Sequence, residues 1–255
     1  MRPALRTVML VAAVLSALLT LLGVTTNASA DPVARGVDIT PPAIGTCHDL
    51  TYDEAWKPSD TDPAVDCSTS HTTVTVKVVT FAKTPDWSDG DALYRRYDAA
   101  CHRGILDLFA GKAKALQASA YGLWIFFPTK AQRDAGAKWI RCDAALTAGE
   151  TLAPLPTDGA PTLDALPLDD GVARCRRSKS SDYFATACSK AHSYRATEIL
   201  KYPSATYPGL RRMKAWANRK CYARLGRSFG YYEWPTRAHW AVGLRYSLCF
   251  KTTTS

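Results

Sequence analysis

The sequence predicts an α+β protein of two tandem related small domains, each a mainly antiparallel sheet with one main packed helix, stapled by two disulfides. Three observations carry that expectation. The stretch PTKAQRDAGAKWIRC, from Pro128 to Cys142, returns as PTRAHWAVGLRYSLC, from Pro235 to Cys249, with Pro, Thr, Gly, a basic residue and Cys at matching places. Upstream of each copy lie a strand-like segment and a helix-like segment that carries a Cys. The eight Cys also divide into two sets of four in the same order, as a duplication requires.

Residues 1–30 read as a signal peptide. MRPALR is basic, Val8 to Val24 is an uncharged apolar run, and Ala28-Ser29-Ala30 supplies the small residues that a signal peptidase reads. Cleavage there leaves Asp31 first. A retained anchor is the competing reading, since the apolar run approaches the roughly 20 residues that span a bilayer. Residues 31–45 then read as a flexible tail.

The first repeat occupies 46–145. After Cys47, the segment CSTSH runs from Cys67 to His71, and TVTVKVV, from Thr73 to Val79, alternates as a half-buried strand does. In ALYRRYDAACHRGILDLFAG, Leu93, Tyr97, Cys101, Ile105 and Leu108 fall at spacings of three and four, on one helical face. WIFF, from Trp124 to Phe127, is an aromatic strand halted by Pro128. Thr129 can cap a short helix, Gly136 can end it, and the next strand enters with Cys142. Residues 146–172 are rich in Pro, Ala and Asp without a Lys or Arg, and read as an extended, semi-rigid linker that can lie partly against a domain.

The second repeat, 173–255, follows the same order. Cys175 precedes CSKAH (Cys188 to His192), the strand-like YRATEIL, a helix around Cys221, the aromatic YYEW, and then Pro235, Thr236, Trp240, Gly243, Arg245 and Cys249. The offset between copies shrinks from 128 residues at Cys47 and Cys175 to 107 at the Pro-Thr element, as deletions in connecting loops produce. His71, His192, Pro128, Thr129, Gly136, Pro235, Thr236, Trp240, Gly243 and Arg245 are therefore read as structural parts of the repeat.

Units of this size bury little core, and exported domains commonly compensate with covalent links. Pairing neighbours in sequence joins Cys47 to Cys67, Cys101 to Cys142, Cys175 to Cys188 and Cys221 to Cys249. Four Cys allow three pairings per repeat, and sequence order alone does not choose among them. Pairs are expected to stay within a repeat.

The formal net charge is +9, but it is unevenly placed. Residues 31–172 hold thirteen Lys and Arg against twenty Asp and Glu, whereas 173–255 hold seventeen against three. Candidate polyanion-binding residues are Arg176 and Arg177 beside Cys175, and Arg211, Arg212, Lys214, Arg219 and Lys220 on the second helix. The partners this charge suits are an anionic cell-wall polymer or a lipid surface, with peripheral membrane contact, or an envelope or division protein. Nucleic acid is not expected outside the cell. Docking of the acidic half on the basic half is the internal alternative.

Candidate chemistry is sparse. Cys-x3-His could form a thiolate–imidazole pair only with a free Cys, which an even Cys number in an oxidising compartment disfavours. One such element per copy supplies at most two metal ligands, so no metal or cofactor is expected. Asp86, Asp89 and Asp91 cluster in a loop-like stretch, and the second repeat contains only Asp182, Glu198 and Glu233, a poor setting for paired catalytic carboxylates. No catalytic residue is assigned. The chain reads as non-enzymatic, with an exported wall-modifying hydrolase as the alternative.

The combined pattern of Cys, Cys-x3-His before a strand, a Cys-bearing helix and Pro-Thr-x6-Gly-x-Arg-x3-Cys resembles the septum formation domain family of exported actinobacterial proteins. Trp240, Gly243, Arg245 and Cys249 stand where that pattern places them. The first copy has Arg133 in place of the Trp and Lys138 in place of the Arg, and neither copy has Pro before His71 or His192. The resemblance spans roughly Cys47 to Cys249. It implies an envelope protein associated with the cell wall or division septum, with no catalytic residues to carry over.

Overall fold

A computed structural model describes residues 36–253 apart from 165 and 178–184, so the predicted signal peptide lies outside the described residues. The first repeat contains β1 (Cys47–His48), α1 (Tyr52–Ala55), β2 (Thr73–Thr80), α2 (Gly90–Leu108), α3 (Ala113–Ala118), β3 (Tyr121–Phe126), α4 (Lys130–Asp134) and β4 (Trp139–Thr147). After β5 (Leu152–Ala153), the second contains β6 (Arg174–Arg176), β7 (Ala185–Ala187), β8 (Tyr194–Lys201), α5 (Leu210–Leu225), β9 (Phe229–Glu233), α6 (Arg237–Ala241) and β10 (Tyr246–Thr252).

These strands form two antiparallel sheets, ordered β1-β2-β4-β3 with β5 added to β4, and β7-β6-β8-β10-β9. Matching β1, β2, β3 and β4 with β6, β8, β9 and β10 gives the same order in both sheets. The bridges are Cys47–Cys67, Cys101–Cys142, Cys175–Cys188 and Cys221–Cys249, all within a repeat. In each repeat the second bridge ties the long helix to the sheet strand that follows the Pro-Thr element. All eight Cys are thus paired, and no thiol stands beside His71 or His192.

The Pro-Thr elements are built alike. Thr129 forms a capping box with Gln132, and Thr236 forms one with His239. Gly136 and Gly243 have φ of 98° and 91°, a left-handed conformation that suits glycine at a helix end. The following residue then bonds back five positions, Ala137 N–H to the Gln132 carbonyl and Leu244 N–H to the His239 carbonyl. Trp240 is buried and its indole donates to the Ala205 carbonyl at 2.9 Å, with the Arg245 guanidinium over its ring. Its counterpart Arg133 instead donates to the Pro128 carbonyl at 2.6 Å. His71 and His192 each place Nδ1 on the carbonyl two residues earlier, at 2.9 and 2.7 Å, fixing the entry to β2 and β8.

Helix α2 buries Leu93, Cys101, Gly104, Ile105 and Leu106. Gly104 is required by distance rather than by backbone conformation. A Cβ there would lie 2.6 Å from the Val76 carbonyl oxygen and 2.8 Å from Lys77 Cβ, so its absence sets how closely α2 approaches β2.

Two expectations change in the structure. Residues 37–45 do not hang free: the Trp139 indole donates to the Ile39 carbonyl, Gln132 to the Asp38 carbonyl, and Gly45 N–H to the Thr75 carbonyl. These bonds satisfy groups that a loose tail would leave to water. The segment 146–172 is likewise built into the fold. It contributes the last two residues of β4 and all of β5, and buries Leu152, Leu155, Leu163 and Leu168. Leu155, Leu163 and Leu168 join one continuous apolar cluster with Ile105 and Tyr121 of the first repeat and Val242 and Leu244 of the second. Burial of those leucines outweighs the extended preference of the intervening prolines. The two repeats keep separate sheets and bridges but share a core, and Val37–Ser255 forms one compact unit.

Candidate functional site

Among the described residues, helix α5 carries a dense set of basic side chains that no ion pair engages. Met213, Ala217 and Cys221 recur every four residues and are fully buried. The opposite face at 100° per residue holds Arg211, Arg212, Arg219 and Tyr222. All four are exposed, Tyr222 at 62 %. Lys220 is exposed on one flank, Arg224 is exposed in the last turn, and Lys214 sits half-buried with Nζ 4.3 Å from the Trp234 ring centre. No ion pair among the described residues engages Arg211, Arg212, Lys214, Arg219, Lys220 or Arg224. Arg211 and Arg212 also occupy the first turn, where the helix dipole favours acidic side chains. Local stability therefore argues against this placement.

Arg176 and Arg177, grouped with these by sequence, stand apart. Arg176 is mostly buried and paired with Glu233, whose carboxylate also meets Arg174 Nε at 3.0 Å. Burial opposes ionisation of Glu233, but Arg174 and Arg176 outweigh it and hold its carboxyl below the usual range. Arg177 reaches across to Glu150 at 2.7 Å, and Arg195 pairs with Asp170. Internal docking of the acidic part on the basic part thus uses Arg177 and Arg195, and leaves α5 to solvent.

Between the repeats lies a cavity of about 330 Å3, walled by α2 and β3 on one side and by β6, α6 and the ends of β9 and β10 on the other. Asp98 and His102, one turn apart on α2, approach at 3.2 Å. The His102 ring contacts His239 of α6, with centroids 4.1 Å apart. His239 Nδ1 accepts the Thr236 N–H at 3.2 Å, which leaves its ring proton on Nε2. Burial, reinforced by His102 and Arg174, holds His239 well below the usual imidazole range, so it is neutral at physiological pH. Gln117 closes one wall by pairing with both backbone groups of Tyr246.

A separate polar group lies inside the first repeat. Arg141 Nη2 meets Asp60 at 2.7 Å and Asp143 at 3.0 Å, and His48 Nδ1 lies 3.4 Å from Asp60. Thr73 and Thr75 hydroxyls donate to Asp143 from the neighbouring strand. Burial pushes Asp143 up to about 6 against these partners, and burial with the Arg141 charge pushes His48 down to about 4. All four side chains are nearly inaccessible, so this network organises the sheet.

Sequence reasoning assigned α5 but missed the inter-repeat cavity. Asp98 and His102 carry an i, i+4 signal on α2, whereas His239 reads as a capping residue until the repeats are packed. Asp91 lies in the first turn of α2 and Asp89 is its N-cap, while Asp86 lies in the preceding turn and accepts from Ser88. Asp182 lies outside the described residues. Comparison with protein-family models, curated proteins and solved structures finds no match for this chain.

Proposed function

We propose that this chain is an exported, non-enzymatic cell-envelope protein whose second repeat binds a polyanion through the outer face of α5. The carrying observation is that Arg211, Arg212 and Arg219 are exposed together without an ion pair among the described residues, while Arg174, Arg176, Arg177 and Arg195 have acidic partners. Solvated charge needs no such separation, and the first-turn arginines oppose the helix dipole. Tyr222 adds a flat apolar surface among them. Four disulfides suit an oxidising compartment, and the septum formation resemblance gives the setting as cell wall or division septum.

The test is co-sedimentation of the secreted chain with a purified phosphate-bearing wall polymer and, separately, with phosphatidylglycerol vesicles. Binding to either should weaken steeply with salt. The triple variant Arg211→Glu, Arg212→Glu, Arg219→Glu should remain in the supernatant at low salt. Retention equal to the parent would refute the assignment.

The alternative of a wall-modifying hydrolase draws on the cavity that gathers Asp98, His102, Glu233 and His239. It requires release of soluble fragments from purified wall, abolished by Asp98→Asn with α5 intact. Inert parent protein in that assay excludes the tested hydrolysis.

A further inference from the structure

We infer that the outer edge of β3 is a docking site for an extended peptide, which joins the first sheet as an additional strand. This inference is independent of the α5 reading. In the β3–β4 register, Tyr121 pairs with Leu146 and Thr147 N–H donates to the Ala120 carbonyl. Gly122, Trp124 and Phe126 therefore direct their backbone groups toward β4, and Tyr121, Leu123 and Ile125 direct theirs outward.

Both ends of this outer edge are already occupied. At the start of the strand Ala120, whose carbonyl accepts from β4, sends its N–H to the Val172 carbonyl instead, and the outward Tyr121 N–H donates to Ser119 Oγ; at the other end Phe127 N–H donates to the Pro58 carbonyl. Between them, the N–H and C=O groups of Leu123 and Ile125 have no hydrogen-bond partner among the described residues. That leaves a window two outward residues long, with the alternate donors and acceptors that a strand would complete.

Cavities flank the window. The inter-repeat cavity meets it from the α2 side. A second, of about 350 Å3, lies beside Tyr52, Trp56 and Trp124, and both are lined by Tyr94, Gly122 and Leu123. Successive side chains of a strand point to opposite faces, so an added strand would send alternate residues into the two cavities.

The linings state what those residues should be. Trp56 and Trp124 rings lie 4.7 Å apart with Tyr52 beside them, and Trp56 is 53 % exposed. This side suits an aromatic or branched apolar side chain. The Trp124 indole N–H is buried on this side without a hydrogen-bond partner among the described residues. On the other side, the Asp98 carboxylate on α2 is an acceptor that suits a hydrogen-bond donor. The fitted occupant is thus a peptide that alternates apolar and donor side chains. A glycan could stack on the rings but would leave the backbone window unused.

The probe is a library of capped hexapeptides with apolar residues alternating with Lys or Ser, titrated into the 15N-labelled secreted chain. Binding should shift the Leu123 and Ile125 amides and slow their hydrogen exchange, with smaller changes at Gly122, Trp124 and Phe126. N-methylation of the peptide residues that face β3 should weaken binding at least tenfold, while methylation in the other register should not. Gly122→Ala should also weaken it without loss of fold, because its Cβ narrows the Trp124 side of the window while making only ordinary contacts, 3.8 Å from Trp124 Nε1 and 3.9 Å from Thr147 Oγ1. The α5 triple variant should bind the peptides as the parent does. Failure of every library member to bind, binding indifferent to the register of N-methylation, or perturbation of the window by neutral wall oligosaccharides instead would overturn the inference.

Discussion

Replacing Asp143 by Asn should change how stability depends on pH, in a direction fixed by its surroundings. In the folded chain this carboxyl is held up at about 6, from an ordinary value of 3.8, chiefly by burial. Between those values the native state holds a proton that the unfolded chain releases, so the Asp143 contribution to stability is lost as pH rises from about 4 to about 6. The gap between those two values corresponds to about 3 kcal/mol. Asn does not titrate, so the variant should gain about 3 kcal/mol relative to its parent across that window, about 6 to 12 °C in melting temperature for a chain of this size. His48 has the opposite sign. Its imidazole is pushed from 6.5 down to about 4, so the native state resists a proton that the unfolded chain accepts, and stability is lost as pH falls through that range. The two effects largely offset each other in the parent, and His48→Gln should give a difference profile of reverse slope. Thermal melts of parent and both variants at pH 4, 5, 6 and 7 provide the measurement. Parallel profiles for parent and Asp143→Asn would refute the reasoning.

Three further outcomes follow from the packing. Gly104→Ala should destabilise the chain by about 1 to 3 kcal/mol in urea melts, because the new methyl meets the β2 backbone rather than a flexible side chain; an unchanged midpoint would show that α2 can move away. Replacing Cys221 and Cys249 together by Ala removes a bridge of 28-residue separation, and should cost about 3 to 4 kcal/mol by loop-closure entropy in the same assay. In the free chain, the Leu123 and Ile125 amides should exchange with solvent faster than those of Gly122, Trp124 and Phe126. Equal protection at all five would show the β3 edge to be covered.

Much of the fold is legible where a local signal suffices. The alternation of TVTVKVV yields β2, the three-and-four spacing around Cys101 yields α2, and Pro-Thr followed by Gly yields the capped turns of α4 and α6. The basic face of α5 is legible for the same reason, since one helical period places Arg211, Arg212 and Arg219 together. What escapes is long-range. Asp143 lies within a strand-like run, and its burial becomes intelligible only when the sheet register sets it opposite Thr75 and brings Arg141 to Asp60. Leu152, Leu155, Leu163 and Leu168 have no regular spacing, so a Pro-rich stretch hides their role. The meeting of His102 with His239 joins residues from different repeats and depends on how those repeats pack. Charge alone groups Arg176 with α5, but its position on β6 turns it toward Glu233.

The leucines between the repeats bear on how this architecture can be inherited. A duplicated gene ordinarily leaves two interchangeable modules, either of which can be dropped or transplanted. Here the bridging stretch has become common interior: excision at the junction would strip apolar surface from both partners at once. Neither half keeps a complete interior of its own, and deletion of either should leave the remainder prone to aggregation.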